Sequence, residues 1–137
     1  MLKRITALDY DFSQVSLFVH TTDDLSDKKV DDWLNQNDFA SRKIFTSTDS
    51  VTEPMARKAA LQFMIDENCE YIFMVDGYVQ LTNEMVLKRL IESNKDIVAP
   101  AMSRFGKLWS NFWGAIASGK FNLKIEMSIF KIDKYLN

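Results

Sequence analysis

Asp76 follows the apolar run Tyr71-Ile-Phe-Met-Val75 and precedes Gly77. A carboxylate at the end of a buried strand, with a flexible residue after it, can face a divalent cation or a diphosphate-bound metal. Hard cations take oxygen ligands, usually more than one. The same position also suits a carboxylate that caps the turn ahead of Asn83, so both roles stand open for Asp76. A second group sits in Gly106-Lys-Leu-Trp-Ser-Asn-Phe-Trp-Gly114. Trp109 and Trp113 could line a groove for a sugar or a peptide, with Asn111 hydrogen-bonding a hydroxyl. The plainer reading packs both indoles inside and has Asn111 satisfy buried backbone, and the high average burial of tryptophan favours it. Arg104 and Lys107 flank this motif. They suit a diphosphate, Arg by bidentate contact, or simply a solvated face.

His20 is the only histidine. It ends a strand-like segment and has no evident nucleophile or second ligand near it in sequence, so no Ser-His-Asp set can be proposed from it. Asp23 and Asp24 in Thr21-Thr-Asp-Asp24 offer carboxylates, although local turn chemistry accounts for them equally. Cys69 lies between Asn68 and Glu70 without a basic neighbour, so nothing activates its thiol.

The elements that must position these residues alternate. Val15–His20 is apolar and rich in β-formers. Ser26 suits the cap of a helix whose Val30, Trp33 and Leu34 fall on one face. Lys43–Thr46 reads as a second strand. Thr52 suits the cap of a helix over 53–67, with Pro54 in its first turn and Met55, Ala56, Ala59, Ala60, Phe63 and Met64 at helical spacing. Asn68 stops it. Tyr71–Val75 lacks polar alternation, as in a strand covered on both faces. Asn83 suits the cap of a helix over 84–93, and Asp96–Pro100 is again short and apolar. Phe121–Met127 alternates with period two, as a half-exposed strand does. Residues 1–13 are weakly patterned and read as a frayed lead-in to a single domain over 14–137. Strand alternating with helix predicts an α/β sandwich with a mostly parallel sheet, in which ligands collect at the carboxyl ends of the strands.

Composition narrows the classes. The chain of 137 residues is 47% hydrophobic and 26% charged, which fits one globular domain and excludes disorder. A net charge of −2 argues against a nucleic-acid binder. No apolar run approaches membrane-spanning length, and the first ten residues lack a signal-length apolar stretch, so localisation stays open. One cysteine excludes an internal disulfide and a four-cysteine zinc site.

Glu70–Asn83, Leu87–Pro100 and Arg104–Ala115 together resemble the procollagen-lysine hydroxylases, in their glycosyltransferase-like region and its accessory domain in particular. Gly106–Gly114 is the specific part of that likeness, which extends loosely over residues 14–116. Lysine, isoleucine and asparagine usage suits an AT-rich genome, such as a viral copy of the family. The resemblance implies a GT-A-like, Rossmann-type fold that binds a UDP-sugar with Mn²⁺. It further implies a hexose transferred to hydroxylysine of a collagen-like acceptor. Asp76 matches the first acidic position of the family's metal motif, and Tyr78 stands where the second acid belongs. His20 matches the place of the nucleotide base. Arg104 and Lys107 fall to the diphosphate, and Trp109, Asn111 and Trp113 to the acceptor groove. A single histidine cannot supply the hydroxylase's His-x-Asp…His iron set, so this chain is not expected to hydroxylate lysine. The relatives continue with more sheet, which makes the chain look truncated and predicts self-association or a partner chain. The alternative is a non-catalytic accessory or scaffold module, as the accessory domain of the relatives is.

Overall fold

The computed structural model describes residues 1–100 and the backbone of 127–131. Its elements run α1 (Leu2–Ile5), β1 (Ser16–His20), α2 (Asp24–Leu34), β2 (Ser41–Phe45), α3 (Glu53–Asp66), β3 (Tyr71–Val75), α4 (Val86–Glu92), β4 (Ile97–Val98) and β5 (Met127–Lys131).

β1 and β2 pair in parallel, Ser16 opposite Ser41 through His20 opposite Phe45. Alternation along β1 assigns its two faces. Leu17 and Val19, with Ile44 of β2, pack under Val30, Trp33 and Leu34 of α2. Phe18 points the other way, its ring 5.5 Å from that of Phe45 and 6.1 Å from that of Phe63 in α3. One strand pair is thus covered by a helix on each side, the α/β sandwich that the alternating sequence implies. Helix α3 buries Ala56, Phe63 and Met64, while Met55 on its apolar-looking stripe is 58% exposed.

The second sheet has the order β3-β5-β4. β5 runs antiparallel to both neighbours, so β3 and β4 share one direction. Pairing runs from Tyr71 opposite Lys131 to Val75 opposite Met127. The strand begins at Met127, where the expected strand ends; residues 121–126 lie outside the described residues.

Three local readings are corrected. The α2 cap is Asp23, whose carboxylate accepts from the Ser26 amide at 2.9 Å and the Ser26 hydroxyl at 2.7 Å. A carboxylate at the N-cap also meets the positive end of the helix dipole, which a serine does not do. Asn83 closes a turn of its own, with its Oδ1 accepting from Met85 N at 3.0 Å, and α4 starts only at Val86. Residues 1–13 are not a loose end. Leu8 is buried with Val79 and Leu81, against Ile5, Phe12, Phe73, Val75, Val86 and Leu87. The Asp9 amide donates to the Glu84 carbonyl at 2.9 Å, and Lys88 Nζ reaches Asp9 Oδ2 at 2.7 Å. The segment therefore clamps the chain that leaves β3. Among the described residues no helix is long and apolar enough to cross a membrane.

Candidate functional site

A cleft of about 1290 Å³ lies between β1 and β3. His20, Glu53, Arg57, Asp76, Gly77 and Tyr78 are among the residues lining it. His20 is the last residue of β1, and Asp76 directly follows β3. Glu53 and Arg57 sit in the first two turns of α3. Each strand end is tied to the start of that helix.

The first tie is His20. Its Nε2 lies 3.0 Å from the carbonyl oxygen of Val51, two residues ahead of α3. A carbonyl only accepts, so Nε2 carries the proton in this contact and Nδ1 is the acceptor of the neutral ring. The loop that presents Val51 is itself fixed. Asp27 accepts from the Ser47 amide at 3.1 Å and the Ser47 hydroxyl at 2.6 Å, and the buried Thr21 hydroxyl also donates to it. The Ser47 and Thr21 hydroxyls hold the Asp27 carboxyl below its usual pKa, because both stabilise the charged form. Thr46 and Asp49 close the next turn reciprocally.

The second tie is Arg57. Glu53 and Arg57 are four apart, which stacks them one turn above each other on α3. Nε and Nη2 of Arg57 donate to Glu53 Oε1 at 2.9 and 2.7 Å. Nη2 also lies 3.6 Å from Asp76 Oδ1. On its other side Asp76 Oδ2 accepts from the Tyr78 hydroxyl at 3.3 Å. The Arg57 and Asp76 side chains are 51% and 33% exposed, so the pair stays wet and adds at most about 1 kcal/mol.

Of the residues singled out in the sequence, the structure brings Asp76 and His20 to one cleft. Asp23 and Asp24 serve local structure, Asp23 as a cap and Asp24 as an acceptor for the Ser47 hydroxyl at 2.8 Å. Arg104, Lys107, Trp109, Asn111 and Trp113 lie outside the described residues. Sequence reasoning missed Glu53 and Arg57. Their four-residue spacing was legible, but the reach of Arg57 to Asp76 is a tertiary contact.

Among the described residues no three His, Cys, Asp or Glu side chains gather as a metal cage. Asp76 nevertheless suits one kind of cation. Mg²⁺-like ions often rest on one or two carboxylates and take the remaining ligands from substrate phosphates and water. A partly exposed carboxylate with two hard oxygens, lining a cleft, fits that use.

Comparison with known proteins now places the chain. Residues 47–135 match the family model described as glycosyltransferase family 25, N-terminal domain. The chain belongs to this family. That match starts at Ser47 and takes in the loop, α3, β3, α4 and β5, so it covers both Arg57 and Asp76. The chain is also 37% identical over 128 residues to mouse procollagen-lysine,2-oxoglutarate 5-dioxygenase 2. It is 35% identical over 128 residues to the human multifunctional procollagen lysine hydroxylase and glycosyltransferase LH3. Chicken procollagen-lysine,2-oxoglutarate 5-dioxygenase 1 is 32% identical over 126 residues. These alignments take in 90–91% of this chain but only 17% of each relative's length. The chain is thus a glycosyltransferase-like α/β domain, similar to the corresponding stretch of the lysine hydroxylases.

Proposed function

We propose that this domain binds a UDP-sugar in the cleft between β1 and β3 and takes part in hexose transfer to hydroxylysine of a collagen-like acceptor. The observation that supports this most is the convergence of His20 and Asp76, from two strand ends, on the start of one helix. That end of an α/β sheet is where nucleotides bind in folds of this type. The glycosyltransferase in the name of the human relative and the family match support the reaction class.

Each residue has a part in this reading. His20, with Nδ1 as an acceptor, sits where the base would lie. Asp76 would hold Mn²⁺ together with the donor's diphosphate. Mn²⁺ when bound supplies Lewis-acid stabilisation of the leaving diphosphate. Tyr78 is a poor cation ligand compared with a second carboxylate, so among the described residues Asp76 would carry the protein's share. Arg104 and Lys107 are proposed to face the diphosphate. Trp109, Asn111 and Trp113 are proposed to shape the acceptor groove.

The test is release of UDP from UDP-galactose and UDP-glucose in the presence of a hydroxylysine-containing collagen peptide. Acceptor-dependent UDP release that is lost in Asp76→Ala supports the reading. UDP release that ignores both the peptide and the substitution contradicts it.

A further inference from the structure

The Asp76 carboxylate already has a cation beside it, the guanidinium of Arg57, with Nη2 3.6 Å from Oδ1. We infer that Arg57 is a displaceable counter-ion for Asp76, which makes divalent-cation binding at this site depend on the nucleotide. This deepens the nucleotide-sugar reading above and rests on it.

Three features carry the inference. The Arg57–Asp76 contact is long for a charge-assisted hydrogen bond, which runs at about 2.7–2.9 Å, so it is an ion pair that can open at small cost. Glu53 holds the same guanidinium through two donors at 2.9 and 2.7 Å, so Arg57 keeps a partner when it leaves Asp76. Both side chains are partly exposed, at 51% and 33%, so solvent can fill behind the movement.

A divalent cation arriving alone must compete with a positive charge already at Asp76 and is repelled by it. A cation arriving with a diphosphate brings compensating negative charge, and Arg57 turns from Asp76 towards that new anion. Cation and nucleotide therefore assist each other, and the coupling is reciprocal by linkage. The cation site stays closed to free metal and opens to the metal–nucleotide pair.

The test measures free Mn²⁺ by electron paramagnetic resonance during MnCl₂ titration of the full chain, with and without UDP and against UDP alone, and UDP binding by calorimetry on the same proteins. Wild type, Arg57→Gln and Arg57→Lys are compared. In wild type UDP is expected to tighten Mn²⁺ roughly tenfold or more, the scale of a unit charge beside a divalent ion. Arg57→Gln should bind Mn²⁺ alone about tenfold tighter than wild type and lose most of the gain from UDP. Arg57→Lys keeps the charge and should keep Mn²⁺ alone weak, which a merely structural role for Arg57 would not predict. Should Arg57→Gln leave Mn²⁺ affinity and its coupling to UDP unchanged, the counter-ion role is overturned while the nucleotide reading stands. Absence of UDP binding in wild type and in both variants overturns the nucleotide reading itself.

Discussion

Arg57 on the second turn of α3 and Asp76 just beyond β3 face each other with Nη2 3.6 Å from Oδ1. The contact joins a helix start to a strand end, and β1 reaches the same helix start through His20 and Val51. Two strands that are not hydrogen-bonded to each other thus share one anchor at their carboxyl ends.

The loop carrying Asp76 depends on the N-terminal segment. Leu8, 7% exposed, packs on Val79 and Leu81, three and five residues after the carboxylate. Leu8→Ala is expected to cost about 2–5 kcal/mol, the range for emptying a buried leucine site. Amide exchange should rise most in residues 76–84. A denaturant melt shifted by less than about 0.5 kcal/mol, the range of ordinary surface substitutions, would place Leu8 outside the core.

At α2 the cap is Asp23. Asp23→Ala removes the acceptor for the Ser26 amide and should lower the melting temperature. Ser26→Ala loses only a hydroxyl donor to the same carboxylate and should cost less. A thermal melt in which Ser26→Ala is the more harmful change would restore Ser26 as the cap.

Much of the fold is legible in the sequence because it is local. β1, α3 and β3 follow from runs of β-formers, from helical spacing and from Pro54 in the first turn of a helix. Asn68 ends α3 in the left-handed region, with φ of 52°, a conformation asparagine tolerates better than most residues. What sequence did not reveal is tertiary. Asp23 and Ser26 are both good caps, and only the geometry distinguishes them. The first 13 residues lack a clear period because their burial rests on Leu8 meeting Val79 and Leu81, some seventy residues away. Asp76 stood out through its strand and Gly77. Arg57 did not, since nothing in an exposed Glu-Arg helix pair points to a carboxylate 19 residues on.

Acid sensitivity should pass through Asp27. Its carboxyl sits below the usual value because the Ser47 and Thr21 hydroxyls bond the charged form. A depressed pKa in the folded state adds stability that is fully present above the unfolded value and is lost as pH falls through the folded one. Wild type should therefore be more stable than Asp27→Asn at pH 7, and the gap should close below about pH 4, where unfolded carboxylates protonate. A gap that is constant from pH 7 to pH 2.5 in denaturant melts would remove Asp27 from the acid transition.

The most direct test of the account is calorimetric titration of the folded chain with UDP, with and without Mn²⁺, in wild type and Asp76→Ala. The account predicts UDP binding that Mn²⁺ strengthens in wild type. It predicts loss of that strengthening in Asp76→Ala, with thermal stability changed by no more than about 1 kcal/mol, as for an exposed ion pair. No binding heat at millimolar UDP, or binding that is the same in Asp76→Ala with and without Mn²⁺, would contradict it.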